Sequence, residues 1–288
     1  LNVHEDPMLS RALCYFLPPD RATVMGSKGP AGGEDVLLRG PSIRPAHCTI
    51  RHERIENAPG ELFVEAGPGG RVLLNGRELP STADAPSVPE RLRHNDRLFI
   101  GTNYCFVVVH PGEASGGPPT GGEWPEVDWE FANREVAKAQ GLGSNIEASW
   151  ESMTDEQRRR ALLDDELVKV MPKVAEANAI SRDLGRTVSF KTIITLNHAR
   201  TSASSVNSSR SGSPEPGSNF YSVVRAAMRD ASGAPAALVS TVMVRCRDEE
   251  RGVEWQWDHS NFMGRVYIMR EFYNRIALRL DGGTETSE

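Results

Sequence analysis

The sequence contains no apolar run long enough to span a bilayer. Stretches such as Tyr104 to Val109 fall far short of the roughly 18–20 residues a spanning helix needs, and nothing resembles a signal peptide. No membrane insertion is expected. There is no surplus of positive charge either: 33 Lys and Arg stand against 39 Asp and Glu, for a net charge of −6. A broad electrostatic grip on nucleic acid or anionic lipid needs a concentrated excess of cations, so neither partner is expected. Cysteine is scarce. The four residues Cys14, Cys48, Cys105 and Cys246 form no CxxC pair, and each lies in an apolar or strand-like run, so buried free thiols are the expectation.

The motifs of bond-making chemistry are missing as well. A P-loop needs GxxxxGK[ST], whose amides wrap phosphates while Lys and a hydroxyl complete the site. The nearest Gly-rich stretch, Gly26 to Gly33 (GSKGPAGG), lacks that ending and runs into a short strand rather than a helix. No HExxH, GxSxG or EF-hand loop occurs, and the seven His residues have no metal-ligand spacing. Catalysis by this chain, a bound cofactor and a metal site are therefore not expected. The chain starts at Leu1, from which a fragment of a longer protein is expected.

What is present reads as two modest domains, which 288 residues can accommodate. From Ala12 to His110 short apolar runs alternate with turn residues: Ala12 to Leu17, Arg21 to Met25, Asp35 to Leu38, His47 to Glu53, Glu61 to Ala66, Arg71 to Leu74, Arg97 to Ile100 and Tyr104 to His110. Runs of this length punctuated by Gly, Pro and Asn are the pattern of a β-sandwich. Pro111 to Gly122 holds nothing that could build a core and reads as a flexible to semi-extended linker.

Helices follow. Val127 to Ala139 carries Trp129, Phe131 and Val136 on an apolar side and stops at Gly141. Thr154 and Gln157 have capping-box spacing ahead of a second helix, with Glu156, Arg160 and Asp164 set for i,i+4 pairing. Pro172 is expected to interrupt that helix or open a third, which carries Val174, Ala177, Ser181 and Leu184 and ends at Gly185. Period two then appears from Thr187 to Leu196, and further strands are expected at Phe220 to Met228, Leu238 to Arg247 and Val253 to Trp257. Residues 201–218 are rich in Ser, Pro and Gly and read as a disordered loop. Trp255 and Trp257 share one strand face and are expected to pack. Phe262, Val266, Met269, Tyr273 and Ile276 follow 3.6 spacing, so a final helix capped by Asp258 or Ser260 should lie on the sheet.

The expected fold class is mainly β plus α+β. Its parts are a sandwich over 1–112, a linker over 113–123, a helical connector over 124–185, a small antiparallel α+β domain with a long C-terminal helix over 186–280, and a tail over 281–288.

Four segments in order, LNVHEDPMLSRALCYFL, IRPAHCTIRHER, LLNGREL and LRHNDRLFIGTNYCFVVVHP, resemble the forkhead-associated domain of kinesin-3 motors. The likeness resumes past the linker at VDWEFANREVAKAQG, VAEANAISRDLGRTVSFKTIITL and VEWQWDHSNFMGRVYIMREFYNR, covering about two-thirds of the chain. The resemblance implies a microtubule motor whose ATP- and Mg-binding head lies outside this chain, in the cytoplasm on the microtubule cytoskeleton. This region would supply dimerisation, autoinhibitory docking on the head or neck, and cargo or adaptor binding.

Forkhead-associated domains generally read phosphothreonine through loops. Their usual signature is Gly-Arg, then Ser-x-x-His, then Asn-Gly. Here the first becomes Gly26-Ser27, the second becomes Arg44-Pro45-Ala46-His47, and Asn75-Gly76 stands as in the pattern. Two readings follow. Arg44 with Lys28, Ser27 and Ser42 could hold a phosphate, because a guanidinium binds it bidentately. Alternatively the loops are structural, with His47 ordering backbone and Asn75-Gly76 making a tight hairpin turn. The second is preferred, since two of three recognition positions are altered. A phosphothreonine adaptor independent of any motor is the alternative function. Ser213, before Pro214 and shortly after Arg210, is a candidate phosphorylation site.

Overall fold

The computed structural model describes residues 1–28, 33–55, 58–118, 121–141, 153–198 and 238–282. The strand expected at 220–228, the Ser-rich loop with Ser213, and the side chain of Glu156 lie outside the described residues.

Two five-stranded sheets face each other. One runs β1 (Asn2–Val3), β10 (Tyr104–Val107), β9 (Arg97–Ile100), β6 (Val72–Leu74) and β7 (Arg77–Glu78) in spatial order, all antiparallel. The other runs β3 (Val36–Leu37), β2 (Ala22–Gly26), β4 (Cys48–Ile55), β5 (Ala58–Ala66) and β8 (Glu90–Leu92), with β2 and β3 parallel and the rest antiparallel. Alternation supplies the core: Met25, Cys48, Ile50, Val64, Val72, Leu98 and Ile100 all point between the sheets.

The strand expected over Ala12 to Leu17 does not form. Asn2 takes the edge beside β10 instead, and its side chain closes a loop by donating to Leu9 O at 2.7 Å and accepting from Leu13 N at 2.8 Å. Tyr15 and Leu17 still pack on the core, but Phe16 is 88% exposed. Cys14 is exposed too, contrary to the expectation of four buried thiols, because this stretch has no strand partner to cover it. The other three are buried, and burial pushes the Cys48 and Cys246 thiols up to about 12.

A helical turn, α1 (Pro111–Ala114), follows β10, and Glu113 accepts from His94 N at 2.7 Å, so the first residues of the expected linker are held against the sandwich. Helix α2 (Trp129–Ala139) starts at Asp128, whose carboxylate accepts from Phe131 N. Its Trp129, Phe131, Ala132 and Val136 cover the outer side of the first sheet at Leu73, Phe99 and Cys105.

Helix α3 (Asp155–Asp183) begins at the expected capping box of Thr154 and Gln157. It runs unbroken through Pro172, which corrects the expected interruption. An interior proline costs about 3 kcal/mol through its lost hydrogen bond and ring clash. Buried Leu167, Val168 and Val170 before it and Val174, Ala177 and Ile180 after it continue one packed surface that offsets that cost.

A three-stranded antiparallel sheet follows, ordered β11 (Val188–His198), β12 (Leu238–Asp248), β13 (Val253–Asp258), and then helix α4 (His259–Gly282). Asp258 caps α4 by accepting from Asn261 N at 2.8 Å. Phe190, Val242, Val244 and Cys246 meet Val170, Val174 and Ala177 of α3 and Phe262 and Val266 of α4, with Trp255 and Trp257 packed beside them. Among the described residues no helix is long and apolar enough to cross a membrane.

Candidate interaction site

The predicted site residues divide between the two ends of β6. At its start, the backbones of three loops converge. Ser27 N donates to Arg44 O at 2.9 Å, and a Cβ on Gly26 would lie 2.6 Å from that same oxygen, so only glycine permits the approach. His47, 1% exposed, accepts from Arg44 N at Nδ1 (3.1 Å) and faces Arg71 O through Nε2 (3.0 Å). One nitrogen accepts and the other donates, which is the neutral imidazole. Burial holds its pKa below the ordinary value; the Arg71 carbonyl opposes the shift and Arg44 adds to it. Arg44 itself is exposed, with its guanidinium lying over Gly69, and Lys28 is exposed.

Asn75 and Gly76 lie at the opposite end of β6. Asn75 donates to Asp96 at 2.8 Å and accepts from Arg97 N at 2.9 Å. Gly76 has φ +80, and a Cβ there would lie 2.6 Å from Glu135 O of α2. Arg97 clamps this junction, donating from Nε to Glu135 at 2.7 Å and sitting 5.5 Å from the Phe131 ring. The turn is covered by a helix, and it does not join Ser27, Arg44 and His47.

Ser42 lies on the first end, with φ +61, and its N–H donates to Asp183 Oδ2 at 2.6 Å. Asp183 is the last residue of α3, and it also accepts from Tyr273 of α4 at 3.3 Å. Burial, together with Asp183, pushes the Tyr273 hydroxyl up to about 12. Two further links join the same elements. Asn103 donates to Glu176 at 3.3 Å, while Arg270 grips both Glu176 oxygens at 2.5 and 2.6 Å. Lys173 reaches Glu5 at 2.5 Å.

Sequence reasoning missed Lys173, Glu176 and Asp183 because their sandwich partners are far away along the chain. A signal was present: Lys173, Glu176, Ile180 and Asp183 recur at three- and four-residue spacing and so share one face of α3.

This arrangement defines a mixed, sheet-rich protein: a β-sandwich whose loops are bonded to the helices of an α+β unit. No protein-family model matches the chain. Among curated proteins it is 32% identical to Kinesin-like protein KIF1B of Homo sapiens over 148 residues, 49% of this chain and 8% of that protein. It is 24% identical to Kinesin-like protein KIF28 of Rattus norvegicus over 96% of this chain and 22% of that protein. With Kinesin-like protein KIF28P of Homo sapiens it shares 25% identity over 98% of this chain and 24% of that protein. The chain is thus similar to kinesin-like proteins and spans less than a quarter of the length of these relatives.

Proposed function

We propose that this chain is a non-catalytic interaction and regulatory region of a kinesin-3-like microtubule motor, serving dimerisation, autoinhibition and the binding of cargo or adaptor proteins. The observation that carries this reading is that similarity to kinesin-like proteins runs across both folded parts, over 96% and 98% of the chain for the KIF28-type relatives. An isolated phosphopeptide reader would need the sandwich alone. On this reading ATP, Mg and the microtubule contact belong to a motor head outside these residues, and the protein works on the microtubule cytoskeleton.

The rival adaptor reading draws on the exposed Arg44 and Lys28. It is weakened because the Ser42 N–H is already bonded to Asp183, and because Asn75-Gly76 stands at the other end of β6. The deciding experiment is the microtubule-stimulated ATPase rate of a longer protein carrying the proposed head, with and without residues 1–288. A higher rate on removal is expected. An unchanged rate, together with unchanged oligomeric state by light scattering, would overturn the proposal.

A further inference from the structure

A groove of about 470 Å³ runs between the sandwich and the α+β unit. Its walls bring together Arg71, which leads into β6; Thr102, in the turn between β9 and β10; Arg182, near the end of α3; and Arg186 and Ser189, at the start of β11. Glu249 is the one carboxylate among the described lining residues.

Three guanidinium groups face one lining carboxylate, Glu249, and Glu78 stands beside Arg71, so Arg182 and Arg186 are what leave the groove cationic in a chain whose net charge is −6. Arg71 is fixed in place by donating to Gly101 O at 3.1 Å, with Glu78 3.6 Å from its Nε. Arg182 and Arg186 are exposed, and among the described residues neither guanidinium has an ion pair or hydrogen bond. Burial depresses the Arg71 pKa, Glu78 opposes that, and the like charge of Arg182 adds to it. The second observation is independent of charge. Thr102 is 8% exposed, and its hydroxyl has no hydrogen-bond partner among the described residues. A buried hydroxyl without a partner is costly, and because this oxygen is closed to solvent it can meet a bound oxyanion only at the floor of the groove.

We infer that this groove binds a phosphate group carried by a small soluble molecule, with Arg182 and Arg186 as charged ligands, Arg71 as the fixed third and Thr102 as a hydroxyl donor. Guanidinium forks match the oxygens of phosphate, and the two without an ion pair, Arg182 and Arg186, match a dianion better than a monoanionic carboxylate. The net charge of −6 opposes approach to an anionic membrane, which favours a soluble source over a membrane headgroup.

The test uses the full 288-residue chain and inorganic phosphate as the probe, following arginine Nε–H resonances by NMR. Saturable shifts of Arg71, Arg182 and Arg186 are expected with phosphate and not with chloride at equal ionic strength. Arg182→Gln with Arg186→Gln should weaken binding about tenfold or more, since hydrogen bonds to charged groups are the strong ones. Both residues are exposed, so the fold should persist, which unchanged amide dispersion would verify. Thr102→Val should also weaken binding, while Thr102→Ser retains it, a rescue that a packing role alone would not give. No saturable shift, an equal response to chloride, or full binding by the double variant would overturn the site. Binding confined to vesicles containing phosphatidylinositol bisphosphate, and lost in the double variant, would overturn the soluble source.

Discussion

The two ends of β6 are closed by different chemistry. At the Asn75 end, backbone meets backbone: Gly76 sits under the carbonyl of Glu135, and the Arg97–Glu135 pair is sealed by Phe131. At the Ser42 end, the closure is a hydrogen bond from one loop amide to an exposed helix-terminal carboxylate, backed by Asn103 on Glu176 and Lys173 on Glu5. Close packing tolerates almost no displacement, whereas an exposed charged hydrogen bond is weakened by solvent and salt. The first junction therefore reads as fixed, and the second as the one that can release.

The largest effect is expected at the anchor of the second junction. Glu176 is buried, and removing it leaves the partly buried Arg270 without its partner. Glu176→Ala should lower stability by about 3 kcal/mol, the range for one half of a buried ion pair, read from urea unfolding. A loss within error would mean the pair contributes nothing and the anchor lies elsewhere.

Next comes the fixed junction. Gly76→Ala combines positive φ with the 2.6 Å approach to Glu135 O. A loss of about 2 kcal/mol or more is expected, with α2 lifting from the sheet and Trp129 fluorescence moving to the red. A variant as stable as the parent would show that this junction is loose as well.

His47 tests the loop end by pH. Its folded pKa lies below the unfolded value, so unfolded chains bind the proton more readily. Its stabilisation is complete above the unfolded pKa of about 6.5 and is lost as pH falls from there toward the lower folded value. Burial shifts His94 the same way, with Glu113 opposing. The comparison is therefore between parent and His47→Gln, and the variant should show the flatter decline in urea midpoint on acidification. Equal slopes would remove His47 from the account.

The smallest change in global stability should come from Asp183→Ala, because the Asp183 side chain is exposed and both hydrogen bonds it accepts, from Ser42 N and from Tyr273, lie at the surface. Amide exchange at Ser42 should quicken by about tenfold through local opening, with the urea midpoint barely moved.

Much of this architecture was legible from local pattern. Alternation in Cys48 to Glu53, the Thr154–Gln157 box, the Asp258 cap and the stripe from Phe262 are all set by neighbours within a turn or a strand. Three features were not. Pro172 is a helix breaker by propensity, and burial on both sides overrode it. Ala12 to Leu17 has strand composition, but Asn2 takes the available edge. The site fared worst. Asn75-Gly76 fits a recognition pattern in the chain, yet three residues of β6 carry it to the end remote from Arg44. The partners of Ser42 and Asn103 come from the far end of α3, a pairing no local window contains.

The difference between the two junctions is tested most directly by native-state amide exchange of Ser42 and Gly76 in the parent chain and in Asp183→Ala. Gly76 should exchange only with global unfolding in both proteins, while Ser42 should exchange through a cheaper local opening that the substitution accelerates. Exchange of both amides at the global rate, unchanged by Asp183→Ala, would contradict that difference.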